Sequence, residues 1–159
     1  MKPTNVNIER QAHMATRSFI DTNILLYAEA SDKTEKQQTA LDLLHQHYQD
    51  ACAVISTQVL QEYCNIAIKK LKLEPQYIRS QLDFYLQFEV IQVTADIIRI
   101  GFDIHQTRSM AFFDAIIVAS AKTAGCSVLF SEDMNAGELI DGIQIINPFS
   151  KQHIRKLKR

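Results

Sequence analysis

Five short apolar runs, most of them separated by segments of helical length, constrain this chain more than any other feature. They are RSFI at 17–20, AVIS at 53–56, VIQV at 90–93, SVLF at 127–130 and IQII at 143–146. Runs this short and this apolar read as strands buried on both faces. Helical patterning fills most of the spaces between them. Residues 33–48 place Ala40, Leu41, Leu44 and Tyr48 on one stripe, and Ser56 or Thr57 can cap a helix reaching Leu71. Pro75 suits the first turn of a helix ending near Phe88, and a further helix is expected from Ala95 to His105. The last runs from Met110 to Thr123, with Ser109 as its N-cap and Gly125 in the left-handed position after it. Strands alternating with helices predict an α/β fold, a three-layer α/β/α sandwich around a mostly parallel five-stranded sheet. With no internal repeat or linker, residues 17–150 are expected to form one domain, closed by Pro148.

The two ends differ from this body. Residues 1–16 are polar and have no apolar h-region, so they read as a disordered extension rather than a secretory signal, with Met14 as an alternative start. Residues 151–159, KQHIRKLKR, hold five of the 17 basic residues and no acid, which leaves 12 basic groups against 18 acidic ones before them. Such a tail can neutralise phosphates, rest on an acidic partner, or simply be solvated. Three scattered cysteines, Cys52, Cys64 and Cys126, suit small core residues in a reducing cytoplasm, and no Cys/His spacing resembles a zinc site. No apolar run approaches the roughly 18 residues of a membrane span.

Four acids stand where the patterning does not explain them. Asp21 interrupts FIDTNILLY directly after the first strand, where it serves equally well as a helix cap or a ligand. Glu62 shares a helix face with Val59 and Ile66, so it needs a partner or must snorkel to water. Asp114 lies among Phe112, Phe113, Ile116, Ile117, Val118 and Ala119, where an unpaired charge is costly. A helix dipole returns only about 0.3 to 1 kcal/mol, and Arg108 is the one local base that could pair with it. Asp133 follows the fourth strand in VLFSEDMN. Acids behind parallel strands lie at the edge where such sheets bind ligands. If the four converge, each like-charged pair about 4 Å apart costs roughly 4 kcal/mol at an effective dielectric of 20. A cation relieves that repulsion, and an all-oxygen donor set favours Mg²⁺ or Mn²⁺ over zinc. An ion of that kind is suited to phosphate esters.

The stretches FIDTNILLY, STQVLQEYCN, MAFFDAIIVASA and VLFSEDMNAG followed by IINPF together resemble the PIN-domain family, and within it the bacterial VapC-type toxins of toxin–antitoxin pairs. The likeness runs from Phe19 to Phe149, and each acid falls in its expected setting. It implies that Asp21, Glu62, Asp114 and Asp133 form a metal-binding catalytic cluster, supported by Asn23 and Ser131. It also implies a Mg²⁺-dependent endoribonuclease, with Mg²⁺ on Asp21 and Asp114 while Glu62 and Asp133 hold a second ion or position water. The expected products carry a 5′-phosphate and a 3′-hydroxyl. The implied partners are a cognate antitoxin that covers the acidic groove with a basic side chain, an RNA substrate and a second copy of the chain. Lys69, Lys70, Lys72 and Arg108 are candidates for attracting RNA, against the plainer reading of solvated charges.

Two other readings compete. A phospho-acceptor domain of the receiver type predicts acids clustered behind strand one and a lysine after a late strand, unlike the distribution here. A catalytically inactive PIN-like RNA- or protein-binding module is harder to dismiss, because intact acids show capacity rather than activity.

Overall fold

A computed structural model describes residues 16–32 and 34–150; the extension to residue 15 and the tail from 151 lie outside the described residues. In chain order the elements are β1 (Ser18–Ile20), α1 (Thr22–Ala28), α2 (Glu35–Gln49), β2 (Ala53–Ser56), α3 (Thr57–Lys69) and α4 (Pro75–Tyr85). Then come β3 (Glu89–Ile91), α5 (Ala95–Arg108), α6 (Phe112–Thr123), β4 (Val128–Phe130), β5 (Leu139–Ile140) and β6 (Ile143–Ile146). Every residue of β1 and β2 is buried. Successive strand side chains point to opposite faces, so both faces of the sheet centre are covered.

The strand order is β3-β2-β1-β4-β6-β5, parallel throughout except where β5 pairs antiparallel with β6. Among the described residues, the sheet expected to have five strands has six. The extra one is a two-residue hairpin partner turned by Asp141 and Gly142, both at positive φ (49° and 87°). An Asp-Gly pair between apolar residues is a strong short hairpin signal, so LIDGIQ carried this strand legibly.

Order matters more than number. The chain builds outward from β1 through β2 to β3, then returns to place β4 on the other side of β1. That reversal opens a crevice at the carboxyl ends of β1 and β4, the usual ligand position in open α/β sheets. Asp21 follows β1 and Ser131 follows β4, so both stand at its mouth.

Three local expectations shift. Leu41 and Tyr48 are exposed at 37% and 41%, and the buried stripe of α2 is Ala40, Leu43 and Leu44 instead. Ser109 does not cap α6. It ends α5 in the left-handed region (φ 52°), its N–H donating to the His105 carbonyl, and α6 begins only at Phe112 with no side-chain cap. The third shift concerns the surroundings of Asp114. Residues 115–121 are buried, but Phe113 is 67% exposed and Asp114 only half-buried, because the first turn of α6 leaves the core.

Gly101 sets how closely α6 is held. A Cβ there would lie 2.5 Å from Ile116 Cδ1 and 3.1 Å from its Cα. Helices α5 and α6 thus approach closer than a side chain at 101 permits, and this packing fixes the turn that carries Asp114. The three cysteines are free, two of them buried. Among the described residues no helix is long and apolar enough to cross a membrane.

Candidate active site

Asp21 takes both roles left open by its position. Its backbone is extended (φ −77°, ψ 158°), and Oδ1 accepts the Thr22 N–H at 2.7 Å, capping α1. Its second oxygen, Oδ2, accepts the Ser131 hydroxyl at 2.7 Å and the Asn23 amide at 3.3 Å. Only 6% of the residue is exposed. Burial pushes its carboxyl up to about 6; the bonds from Ser131 and Thr22 pull it down, and the charges of Glu62 and Asp114 push it up again.

Asn23 ties the site across the sheet. Its Nδ2 donates to Asp133 Oδ2 at 3.0 Å as well as to Asp21, and its Oδ1 accepts the Glu132 N–H at 3.3 Å. Ser131 Oγ also accepts the Asp133 N–H at 3.2 Å. The DTN break after β1 and the SED stretch after β4 are therefore one hydrogen-bonded unit.

Glu62 comes in from α3, one turn after Gln58. Thr22 Oγ1 donates to its Oε2 at 2.8 Å and Gln58 Nε2 to its Oε1 at 2.8 Å. Gln58 Nε2 also reaches the Phe113 carbonyl at 3.2 Å, linking α3 to the first turn of α6. Sequence reasoning missed Thr22 and Gln58 as site residues. The signal was present for Gln58, which lies four residues before Glu62 on the same helix face.

Asp114 completes the cluster from the first turn of α6, where the dipole favours a negative charge. Its carboxyl is pushed up by burial first and then by the charges of Asp133 and Glu62. Arg108, the base expected to pair with it, instead meets Asp141 at 3.5 Å, and Lys122 takes the other Asp141 oxygen at 2.7 Å. Arg108 still lines the cleft that Asp114 and Asp133 border. Lys69, Lys70 and Lys72 are exposed at and beyond the far end of α3. At 1.5 Å per residue that is about 10 Å along the axis from Glu62.

The neighbouring carboxylates act on Asp21 and Asp114, yet among the described residues no group of three Asp, Glu, His or Cys side chains is arranged to hold a metal ion. An ion of the Mg²⁺ type does not require one: it binds through one or two carboxylates, keeps several waters and takes oxygens from phosphates. The donors present are all oxygen, and their mutual repulsion leaves the site short of positive charge. Beside Glu62, Gln58 Oε1 is a buried acceptor with no partner among the described residues. Donor type, charge and this unmet acceptor fit a hard divalent cation with its water.

The family model of the PIN domain matches residues 18–139. No curated protein sequence matches the chain significantly. Among solved structures, a toxin–antitoxin complex from Klebsiella pneumoniae is 20% identical, with a TM-score of 0.63, covering 83% of this chain and 98% of that one. DNA-bound VapBC from Salmonella typhimurium is 20% identical (TM-score 0.61, 82% of this chain, 96% of that one). The Mycobacterium tuberculosis sarcin–ricin loop cleaving toxin VapC20 is 19% identical (TM-score 0.56, 73% and 91%). At such identities these likenesses speak for the fold. With the sheet reversal, the acids at its mouth and a family match over most of its length, the chain belongs to the PIN domain family.

Proposed function

We propose that this protein is a metal-dependent endoribonuclease that hydrolyses single-stranded RNA, with Mg²⁺ as its ion and Mn²⁺ as an effective substitute. The observation that carries the reading is the Asn23–Ser131 network, which couples Asp21 behind β1 to Asp133 behind β4. Asp21 and Asp114 would hold the ion, and Glu62 and Asp133 a second ion or a water. When bound, such an ion neutralises phosphate charge and lowers the pKa of water. Asn23 and Ser131 keep the Asp21 carboxylate in one orientation, and Thr22 and Gln58 do the same for Glu62. Cleavage leaves a 5′-phosphate and a 3′-hydroxyl.

We further propose that the protein is the toxin of a cytoplasmic toxin–antitoxin pair. Support comes from the likeness in fold to the Klebsiella pneumoniae toxin–antitoxin complex and to DNA-bound VapBC from Salmonella typhimurium. The acid cluster suits an antitoxin that inserts a Lys or Arg, since an opposite charge nearby favours ionised carboxylates just as a metal does. Such an antitoxin competes with Mg²⁺ and RNA for one site. A homodimer is the expected form; Ile98 and Phe102, 46% and 51% exposed, lie four residues apart on α5 and offer one apolar stripe.

The deciding experiment incubates purified protein with single-stranded RNA in Mg²⁺ or EDTA and maps new 5′ ends. Cleavage by the wild type in Mg²⁺ alone, lost in Asp21→Ala, supports the enzyme. If the wild type cuts nothing and its induced expression is as harmless as that of Asp21→Ala, the protein is a binding module. An adjacent reading frame for a small DNA-binding protein with a flexible tail supports the antitoxin assignment, and light scattering reads the dimer.

A further inference from the structure

A cleft of about 210 Å³ opens beside the acid site, between the loop joining α5 to α6 and the turn after β4. Asp114 and Asp133 form its inner edge; Arg108, Met110, Met134, Asn135 and Glu138 line the rest. It is smaller than the roughly 300 to 1,000 Å³ that drug-sized ligands fill, so it suits one flat ring system rather than a length of chain.

Both walls are held in advance of any ligand. On one side Ser109 is in the left-handed region (φ 52°), where it ends α5 with its N–H bonded to the His105 carbonyl. The next residue is anchored by His105, whose Nδ1 lies 2.6 Å from the Met110 carbonyl oxygen. On the other side the 135–138 turn is closed by Glu138 N–H to the Asn135 carbonyl at 3.2 Å, and Gly137 N–H bonds to the Ile145 carbonyl at 2.9 Å. Preformed walls spare a ligand the cost of ordering them.

The lining chemistry narrows the occupant. Methionine thioethers are polarizable and pack favourably on aromatic rings. The side chains of Asn135 and Glu138 make no hydrogen bond or ion pair with any described residue, so their polar groups are available to a ligand. Carboxylates accept from exocyclic amino groups, and an Asn amide both donates and accepts. Uracil has a single edge donor, its ring N3–H, set between two carbonyl oxygens that a carboxylate repels, so it matches Glu138 and Asp133 less well than a base with an amino group.

We propose that this cleft is a subsite for one nucleobase flanking the scissile phosphate, and that it favours a base with an exocyclic amino group (adenine, cytosine or guanine) over uracil. The proposal rests on the nuclease reading above. Met110, partly buried, packs on the base together with the small accessible part of Met134, which is otherwise buried in the core; Asn135 and Glu138 read its edge, and Arg108 meets the neighbouring phosphate.

The test is made on the full chain carrying ¹³C-methyl methionine, titrated in Mg²⁺ with the four ribonucleoside 5′-monophosphates. The chain has only four methionines, so the Met110 and Met134 signals are assignable by substitution. Both methyls should shift with AMP, CMP or GMP, with UMP binding about tenfold more weakly. Asn135→Ala with Glu138→Gln should abolish that preference, and the same spectra report that the variant is folded. Methyls that respond to no nucleotide, or equally to all four, overturn the subsite; so does a response confined to an antitoxin peptide. Cleavage mapping separates the two readings. A protein that cuts RNA while these methyls stay silent loses only the subsite. One whose methyls discriminate among nucleotides, but which cuts nothing, keeps the subsite and loses the nuclease.

Discussion

Asp21 and Glu62 are tied down by Thr22, Ser131, Asn23 and Gln58, whereas across the crevice Asp114 receives no hydrogen bond from a described side chain and Asp133 only that of Asn23. The tied pair stands against the sheet, where burial makes an unsatisfied carboxylate expensive. The looser pair borders an open cleft and can adjust to what enters it. The difference suggests a division of labour: one half fixes where a cation sits, and the other meets cation and substrate together. The predictions below act on one half, on the other, or on the link between them.

The largest effect is expected where the halves should count equally. If both hold the ion, Asp21→Ala and Asp114→Ala each lower RNA cleavage by more than about 100-fold, beyond the roughly 10- to 100-fold typical of residues that merely support ligands. Circular dichroism should find both variants folded. A tenfold loss in Asp114→Ala beside complete loss in Asp21→Ala would make the open half an accessory and break the proposed division.

The tied half should also carry a stability cost that the open half carries less of. The Asp21 carboxyl is raised from 3.8 to about 6 in the fold, so between about pH 4 and pH 6 the native state binds a proton that the unfolded chain releases. Stability is therefore highest below pH 4 for this group and falls as pH rises to 6. A rise of two units corresponds to about 3 kcal/mol. In EDTA at pH 7, Asp21→Asn keeps the cap and should raise stability by up to that amount; at pH 4 the two proteins should match. Urea unfolding at both pH values measures it, and saturating Mg²⁺ should shrink the gap. An Asp21→Asn protein less stable than wild type at pH 7 would mean that its hydrogen bonds outweigh the burial of its charge.

Asn23 bonds a carboxylate of each half, Asp21 at 3.3 Å and Asp133 at 3.0 Å, so Asn23→Ala tests whether they are mechanically joined. Metal affinity and cleavage should fall by about 10- to 100-fold, as for other supporting residues of metal sites. Mn²⁺ titration reads the first and initial rates the second. A drop in stability with unchanged metal affinity would leave Asp21 working alone.

Much of this contrast was readable in the sequence, and the unread parts share a cause. The four acids, Asn23 and Ser131 declare themselves because each breaks an apolar pattern, which needs a reason wherever it occurs. Thr22 and Gln58 break none: a hydroxyl beside a capping Asp and a polar residue on an amphipathic helix are ordinary. The importance of Thr22 lies in a contact 40 residues away, which periodicity does not encode; for Gln58 the four-residue spacing to Glu62 was legible, but not its reach to the Phe113 carbonyl on another helix. Ser109 was misassigned because serine is a good N-cap and nothing local reveals that α5 would claim it at its end. The exposed Phe113 had the same origin, since apolar density along α6 conceals where that helix leaves the core.

Thr22→Val is the mildest and most selective test of the tied half. Valine keeps the shape of threonine, so the buried position stays filled, and the Asp21 cap bond to the backbone N–H of residue 22 is untouched. What is lost is one donor to Glu62 Oε2, while Gln58 continues to hold Oε1. One hydrogen bond to a charged group is worth about 1.5 to 3 kcal/mol, and Glu62 is only partly buried, so water can replace part of it. Cleavage should therefore fall about threefold to tenfold, with stability changed by less than about 1 kcal/mol. The double variant Thr22→Val/Gln58→Leu should fall further than the product of the two single effects, because only together do they release the carboxylate. Strict additivity would show that Glu62 is positioned by the ion it binds rather than by α1 and α3, and the tied half would shrink to Asp21 and its three donors.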